Sequence, residues 1–354
     1  MSRVMRLAVA GVGNNISALL QGLYFYHELL KQHVGSAGLP GILHPRIGGM
    51  NVDDVEIVAA FDVRAEIIGQ DLHAAIFQAP NNYPHLGVTM PQQAAKVALG
   101  LDLDQSGAVV RREQVVDELR RSEAETLLYS LPTGMQWAAD AYAQCCLEAG
   151  VGFVNCTPEI VARNSEVLAA FVTAGLSLIG DDLASHLGTS VVHRSLLRTI
   201  SERGLTLRSS YQLNIGGNED FRNLLQNGGS KKKSKKNALA QSAADLDLIE
   251  VVPSAGYISH LKDNKIGMIN VEAVGWGGTP VSVDLKLKVQ DSSNAAGVII
   301  DLIRIAAAAQ RCGLSGFHAA ASPMLKSPPF GHPDDEVSAA ETALASLEPR
   351  VAAE

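Results

Sequence analysis

The sequence predicts an α/β protein in which a parallel sheet is followed by a second domain with a mostly antiparallel sheet. Short apolar runs alternate with helix-period segments in the first half, and each run ends in a small or polar residue. After about Leu205 the pattern changes to alternating apolar and polar residues, which is typical of strands with one wet face. The 354 residues exceed a single typical core, so we expect more than one domain.

The elements of the first half follow in order along the chain. Buried strands are predicted at 6–10, 56–62, 126–132, 151–158 and 176–182. Helices are predicted at 16–30 and 136–149, and loops at 33–51 and 80–92, where Gly, Pro, Asn and His are frequent. Because the carboxyl ends of parallel strands share one edge of a sheet, we expect a ligand site at that edge.

The second half is predicted to contain strands, one long helix and a short tail. The strands lie at 207–214, 265–273 and 280–289, and the apolar helix at 295–310 returns to the first domain. After about Val337 we expect an Ala/Glu-rich surface helix or a frayed end. The predicted division is therefore 1–204, 205–294 and 295–354.

Composition and charge exclude several classes of protein. The net charge of −8 and the pI of about 5.7 argue against nucleic-acid binding, which needs a basic face. No run of eighteen apolar residues predicts a membrane span, and the first residues lack the pattern of a cleaved leader, so we expect a cytoplasmic protein. The four cysteines form no CxxC pair, which argues against disulfides and against a metal site.

A glycine turn after the first strand suggests a dinucleotide site. Gly11 and Gly13 match the first two glycines of the fingerprint, but the third is missing. Asp62 at the end of the second strand could bind the adenosine ribose diol and repel a 2′-phosphate, which favours NAD over NADP. The long gap between Gly13 and Asp62 requires an insertion. A glycine turn and a solvated aspartate in another kind of α/β protein remain the alternative.

A lysine-rich segment, Ser-Lys-Lys-Lys-Ser-Lys-Lys from Ser230 to Lys236, stands out in this acidic chain. A run of like charges is usually a solvated face, and that interpretation stays open on the run alone. Its neighbours favour a site, because the glycine-rich polar turn Asn214–Arg222 precedes it. The segments Lys262–Lys265, Asp291–Asn294 and Met324–Pro329 follow it.

Several ordered blocks resemble the myo-inositol-1-phosphate synthase family, in particular its shorter bacterial branch. The blocks are GVGNNISALLQG, VAAFDV, YAQCCLEAGVGFVN, GDDLASHLGTSVVHR, YQLNIGGNEDFRNLL, SKKKSKKNAL, QDSSNAAGVIIDLIR and ASPMLKSPP. They are collinear and extend over roughly residues 5 to 335. The resemblance implies a Rossmann-type doubly wound parallel sheet with an inserted α+β domain for catalysis and oligomerisation.

The resemblance also implies a reaction. The family converts glucose 6-phosphate to an inositol phosphate with no net redox change, through oxidation at C5, aldol closure and reduction by the same bound NAD. It further implies a homotetramer with a sugar-phosphate substrate. Enolate and aldolate oxygens develop negative charge in turn, so several fixed ammonium groups suit such a site, and one amine with a lowered pKa must transfer protons.

The family motifs assign roles to particular residues here. Lys231 should serve at the C5 oxygen, Lys235 at phosphate or enolate, and Asp291 should hold the protonation state of a lysine. The implied catalytic residues are Lys231, Lys235, Lys265, Lys326 and Asp291. The implied cofactor-binding residues are Gly11, Gly13, Asn14, Asn15, Asp62, Ser130, Pro132, Asn155, Asp182, Asp220 and Asp263. The implied substrate-binding residues are Ser185, Asn218, Lys231, Lys235 and Lys265, and no metal ligand is expected.

The chain departs from the bacterial pattern beside the substrate. Ala184 and His186 replace a lysine and a glutamine, and Glu219 replaces an uncharged residue. These changes leave the reaction type in place and open the choice of substrate. Fructose 6-phosphate, which would close to a five-membered ring, is therefore the alternative to glucose 6-phosphate. A non-catalytic NAD-binding relative and a simple dehydrogenase that releases NADH are further alternatives.

Overall fold

The computed structural model describes residues 4–32, 39–91, 95–227, 229–240, 245–332 and 335–348, with the backbone alone at positions 226, 227, 230, 336 and 337. The strands are β1 Met5–Ala10, β2 Arg46–Ile47, β3 Met50–Asn51, β4 Val55–Asp62, β5 Val97–Leu99, β6 Asp102–Leu103, β7 Val109–Val110, β8 Thr126–Tyr129, β9 Gly152–Asn155, β10 Leu178–Ile179, β11 Thr206–Gly216, β12 Ile249–Tyr257, β13 Asn264–Val274 and β14 Pro280–Gln290. The helices are α1 Asn14–Lys31, α2 Leu72–Ala75, α3 Arg112–Arg121, α4 Gln136–Ala149, α5 Ser165–Thr173, α6 Thr189–Glu202, α7 Glu219–Asn227, α8 Gly229–Asn237, α9 Asp291–Arg311 and α10 Glu336–Ala345.

A six-stranded parallel sheet forms the first layer of the molecule. Its strand order is β10-β9-β8-β1-β4-β5, and every neighbouring pair is parallel. The chain winds outward from β1 in one direction through β4 and β5, and in the other through β8, β9 and β10. The carboxyl ends of β1 and its two neighbours therefore meet at a topological switch point, which is where such sheets bind ligands. The predicted doubly wound fold is confirmed.

Helices cover both faces of this sheet. On one face α1 buries Ile16, Leu19, Leu20 and Leu23, a spacing that places these side chains on one stripe of the helix. Helix α9 packs against the same core, as predicted for the apolar segment 295–310. On the other face, α3 and α4 form the second core cluster with β8 and β9.

Helix α9 is long and apolar enough to cross a membrane, and it is the one such helix among the described residues. In this fold 78% of the apolar window of the helix is buried inside the protein, and buried core helices of soluble proteins pass the same test. The fully buried Arg304 on α9 donates to the backbone oxygens of His44 and Pro45. It thereby ties the 39–51 insertion to the sheet.

A four-stranded sheet of order β12-β11-β13-β14 forms the second layer. Strands β11, β13 and β14 pair antiparallel, as predicted, with ends within two residues of the predicted ones. Strand β12 was not predicted, and it pairs parallel to β11 because the chain returns through α7 and α8. Helix α6 packs on one face of this sheet, where its Ile200 joins Ile269 and Val271 of β13 in a small core.

The predicted loops are only partly irregular. Residues 33–38 of the first loop and 92 of the second lie outside the described part of the chain, and the first loop contains the short hairpin of β2 and β3. Residues 80–91 form no helix or strand and pass close to the glycine turn at the start of α1. At the other end of the chain, α10 confirms the helix expected for the tail, and residues 349–354 lie outside the described part.

Candidate active site

A cavity of about 430 Å³ lies at the carboxyl edge of the parallel sheet, facing the four-stranded sheet. It combines residues of the glycine turn, of the strand ends and of the lysine-rich segment. The predicted site residues that line it are Gly11, Gly13, Asn14, Asn15, Asp62, Ser130, Pro132, Ser185, Asn218, Asp220, Lys231, Lys235, Lys265, Asp291 and Lys326. The structure thus brings together residues that span more than three hundred positions of the sequence.

The glycine turn has the geometry of an anion cradle. Gly11 has φ +92°, and a Cβ atom there would lie 2.7 Å from the backbone oxygen of Ser130, so a larger residue is excluded. A Cβ atom at Gly13 would meet no atom within 4 Å, because this residue faces the cavity. Helix α1 begins at the next residue without a side-chain cap and without an acidic residue in its first turn. Its free N–H groups and its dipole suit the pyrophosphate of a dinucleotide.

Helix α8 divides the lysine run into an inner and an outer face. Lys231, Ser234 and Lys235 lie three and four positions apart, and all three face the fold, with Lys235 only 3% exposed. Lys232 and Lys233 are exposed to solvent, and Lys232 pairs with Glu250 on the outer surface. Spacing along the helix therefore decides which amines reach the cavity.

Asp182 is the shared acid of two active-site lysines. Its Oδ1 atom lies 3.2 Å from Lys231 Nζ and 2.9 Å from Lys326 Nζ, and the carboxylate is fully buried. Ser234 Oγ donates to the other carboxylate oxygen. Burial opposes ionisation of Asp182, but the two lysines outweigh it and hold its pKa below the ordinary range. Lys326 also donates to Leu183 O at 2.6 Å.

The lysines of the cavity differ in their affinity for protons. Burial works against the charge of Lys231, but Asp182 and Asp220 raise its pKa above the ordinary value. Burial lowers the pKa of Lys326 to about 8, although Asp182 partly restores it. Burial and the neighbouring ammonium groups lower the pKa of Lys235 well below its ordinary value, and its one described hydrogen bond is to Thr189 Oγ1 at 3.4 Å. The same residue type can therefore provide both a fixed cation and groups able to transfer protons.

A second group of acids surrounds Lys265 at the start of β13. Lys265 Nζ lies 3.2 Å from Asp291 Oδ1, at the first residue of α9. Asn218 donates to the other oxygen of Asp291 at 3.3 Å and to Asp263 at 3.4 Å. Burial raises the pKa of Asp263 to about 6, and the charge of Asp291 adds to the effect. Asn14 donates to Asp263 at 2.9 Å, which connects the glycine turn to the second sheet.

Three predicted cofactor-binding residues do not line the cavity. Asp182 and Asp263 lie directly behind it and hold lining residues, as described above. Asn155, at the end of β9, is fully buried, and its amide donates to Glu159 O and to Asp181. These hydrogen bonds fix the loop that follows β9, and the expected contact of Asn155 with a cofactor stays a prediction.

Other residues of the cavity were not anticipated from the sequence. Arg64, Asn81 and Thr133 line the part of the cavity beside the glycine turn, and Thr157 and Thr189 line the part beside the lysines. Arg64 follows Asp62 by two positions, which is a local signal for an ion pair at a strand end. The positions of the others at the cavity depend on distant parts of the chain, so no local pattern of residues points to them.

The departures from the bacterial pattern have different positions. Ala184 lines the cavity, and its backbone N–H is fixed by Met324 O at 2.8 Å. His186 does not line it, because its ring packs against Gly297 of α9, where a Cβ atom would lie 2.4 Å from the ring. Glu219 lines the mouth and pairs with Arg222 at 3.7 Å, which offsets its charge.

Comparison with known proteins identifies the family. Residues 188–292 match the family model described as myo-inositol-1-phosphate synthase. Inositol-3-phosphate synthase of Corynebacterium glutamicum is 36% identical over 351 residues, which cover 94% of this chain and 95% of the relative. This chain belongs to the myo-inositol-1-phosphate synthase family. As a member it is an enzyme of the intramolecular lyase and isomerase type, and the expected family is confirmed.

Solved structures of similar proteins share the fold of this chain. The protein Ari2, whose crystal structure is known, is 58% identical in sequence to this chain. The two structures superpose with a TM-score of 0.87 over 98% of each chain. A myo-inositol-1-phosphate synthase-related protein from Thermotoga maritima is 20% identical, with a TM-score of 0.77, covering 98% of this chain and 100% of that one. The second likeness shows the fold alone.

Proposed function

We propose that this chain cyclises a hexose 6-phosphate to a cyclitol phosphate with NAD as a recycled coenzyme. The observation that carries the proposal is the convergence of Lys231, Lys235, Lys265 and Lys326 on one cavity beside the glycine turn. The proposed sequence is oxidation at C5, aldol closure from C6 and reduction at C5. When bound, NAD supplies the hydride acceptor at C5 and later returns the hydride.

The coenzyme would be held by the turn and the strand ends that surround it. Gly11 and Gly13 let the backbone approach the pyrophosphate, and the N-terminus of α1 at Asn14 provides N–H donors. Asp62 lies at the ribose end, while Ser130 and Pro132 form the wall beside the turn. Asn15 donates to Ser130 Oγ at 3.2 Å and fixes this wall.

Lys231 is the proposed oxyanion stabiliser at the C5 oxygen. Its contact with Asp182 and its raised pKa keep it as an ammonium group throughout the reaction. A fixed cation in a cavity of low polarity stabilises the developing enolate without reorganising. Loss of one such donor typically costs about 3 kcal/mol of transition-state stabilisation.

Lys326 is the proposed proton acceptor for the C5 hydroxyl. A neutral amine has two hydrogens, which Lys326 can donate to Asp182 Oδ1 and Leu183 O. Its lone pair is then free to face the substrate. A pKa of about 8 makes a neutral fraction available near neutral pH.

Lys235 and Lys265 are proposed to serve the remaining charges of the substrate. Lys235 has a strongly lowered pKa, so it can exchange a proton as C6 becomes nucleophilic, while staying close to the phosphate or enolate oxygens. Lys265 is held by Asp291 and points over the ring of Phe221, 5.6 Å from its centre. Asn218 and Ser185, which also line the cavity, complete the proposed substrate contacts.

Glucose 6-phosphate is the proposed first substrate, because the Corynebacterium glutamicum relative is an inositol-3-phosphate synthase. One observation favours fructose 6-phosphate as the second candidate. Ala184 places a methyl group where related bacterial sequences carry a lysine, which leaves more room in the cavity wall. A ketose that closes from C6 onto C2 carries its C1 hydroxymethyl group outside the new ring and needs such room.

The experiment that tests the function identifies the ring that is formed. Each sugar phosphate is incubated with enzyme and NAD⁺, the product is dephosphorylated, and its ring size is determined by NMR. We expect a six-membered cyclitol from the aldose or a five-membered one from the ketose, without accumulation of NADH absorbance. Consumption of neither sugar would refute the cyclase proposal, and steady accumulation of NADH would favour a simple dehydrogenase.

We further propose a homotetramer that assembles through the four-stranded sheet. The face of this sheet opposite α6 carries half-exposed apolar residues in register, with Leu213 paired to Met268 and Ile215 paired to Ile266. Substitution of Met268, which is 36% exposed, by lysine should lower the mass measured by light scattering.

The proposed division of the chain into domains remains 1–204, 205–294 and 295–354. The proposed location of the protein is the cytoplasm.

A further inference from the structure

The carboxylate of Asp62 is fully occupied by the protein itself. Its Oδ2 atom accepts from Val12 N at 2.8 Å and from Arg64 Nη2 at 3.2 Å. Its Oδ1 atom accepts from Val63 N at 2.9 Å, Arg64 N at 3.0 Å and Arg64 Nε at 3.1 Å. A carboxylate offers about four lone-pair positions, so these five donors leave none for the two hydroxyls of a ribose.

The guanidinium of Arg64 is fixed from several sides. Besides Asp62 it contacts Val12 O at 2.7 Å, in the glycine turn, and Ala79 O at 3.4 Å. Asn81 donates to the same Val12 oxygen at 2.9 Å, so the 79–81 segment closes this corner. Arg64 and Asp62 both line the cavity, and the side chain of Arg64 is 23% exposed.

This geometry changes the electrostatic role of the strand-end acid. An isolated carboxylate would repel a ribose 2′-phosphate, but the charges of Asp62 and Arg64 cancel. The planar fork of an arginine can also bind phosphate oxygens through two parallel N–H groups. A ribose diol, in contrast, must displace an Arg64 N–H from Asp62 before it can bind there.

We propose that Arg64 is a specificity-determining residue for the coenzyme, which lets this site accept NADP as well as NAD. The inference rests on the coenzyme site proposed above, and it revises the preference for NAD that Asp62 alone predicts. Arg64 keeps its Nε contact with Asp62 and turns its terminal nitrogens to the 2′-phosphate. No change in the lysine side of the cavity is required.

Isothermal titration of NAD⁺ and NADP⁺ into the whole protein tests this inference by binding alone. For the natural sequence we expect the two dissociation constants to lie within about tenfold of each other. Arg64→Ala should weaken NADP⁺ binding by about tenfold or more, because a charge-assisted contact is lost, while NAD⁺ binding stays equal or improves. Arg64→Lys, which keeps the charge without the fork, should fall between the two.

Arg311→Ala is the matched control. Its side chain is 22% exposed, similar to that of Arg64, and it makes a double contact with Glu125, at 2.7 and 2.8 Å, outside the cavity. This variant should leave the ratio of the two dissociation constants unchanged. The inference is overturned if NADP⁺ binds more than about 100-fold weaker than NAD⁺ and Arg64→Ala leaves that ratio unaltered. Binding of neither coenzyme would overturn both this inference and the proposed coenzyme site.

Discussion

Replacing Asp182 with asparagine should shift the pH dependence of catalysis downward. The carboxylate is fully buried, and one of its oxygens contacts both Lys231, at 3.2 Å, and Lys326, at 2.9 Å. Asparagine keeps the size and one acceptor oxygen of the side chain but removes its charge. The two lysines then lose the counter-ion that favours their protonated forms.

The size of the shift follows from the contact distance. At an effective dielectric constant of about 20, a charge pair separated by 2.9 Å is worth roughly 5–6 kcal/mol. The asparagine oxygen still accepts a hydrogen bond, so we expect about half of this loss, or ~2 pKa units. The pKa of Lys326, now about 8, should therefore fall to roughly 6.

The assay is kcat/KM measured between about pH 5 and pH 10. In the proposed mechanism Lys326 must be neutral to accept a proton, so kcat/KM of the natural sequence rises with pH through about 8. In Asp182→Asn the rise should move to about pH 6. The upper level should be at least about tenfold lower, because Lys231 is no longer held as an ammonium group.

Asp301→Asn separates titration from simple destabilisation. Asp301 is also buried, at 1% exposure, and it pairs with Arg304 on α9, outside the cavity. This control should lower the melting temperature without moving the pH at which activity rises. If Asp182→Asn loses activity but keeps the rise near pH 8, Lys326 is not the proton acceptor and the proposed role is refuted.

Three further variants test the rest of the site. Lys231→Ala should lower kcat by at least about 10²-fold, while NAD⁺ still binds in a titration. Lys233 is exposed, so Lys233→Ala should change kcat little. Equal losses of kcat in the two variants would contradict the division of α8 into an inner and an outer face. In urea denaturation, Gly11→Ala should lower the free energy of unfolding by roughly 1–3 kcal/mol, and it should also weaken NAD⁺ binding. Gly69→Ala is the control, because Gly69 also has a positive φ, +80°, but has open space around it, so this variant measures the cost of the backbone conformation alone. Asp263 has its pKa raised to about 6 in the folded state, so between its unfolded pKa and pH 6 the folded state binds more protons and stability falls as pH rises. Between about pH 4 and pH 7, the free energy of unfolding measured in urea should fall by roughly 2–3 kcal/mol more for the natural sequence than for Asp263→Asn. If the free energies of unfolding of the two proteins change in parallel with pH, the raised pKa is refuted.

The parallel sheet could be predicted because its signals are local. Each strand is a short apolar run, and Asp62 and Asn155 mark the ends of β4 and β9. The pairing of β12 could not be predicted in the same way. Its parallel register with β11 depends on the path of the chain through α7 and α8, whose lengths the residue pattern did not give.

The lysines show a similar division between local and distant information. The spacing of Lys231 and Lys235 places both on one helix face, which the run itself contains. Lys265 and Lys326 look like ordinary surface lysines in the sequence, and only the family resemblance selects them. The pairing of Arg64 with Asp62 had a local signal, two positions apart, but its consequence for the ribose appears only when all five donors are counted.

The uneven distribution of acids explains how four similar amines can perform different steps. Four ammonium groups in one cavity repel one another, so some must lose their protons unless each has a counter-ion. Asp182 is shared by Lys231 and Lys326, and Asp291 contacts Lys265. In the described part of the chain no carboxylate makes an ion pair with Lys235, whose pKa is lowered well below its ordinary value. A carboxylate placed beside Lys235 would raise the pKa of this lysine and keep it protonated. The site would then have one more fixed cation and one proton acceptor fewer.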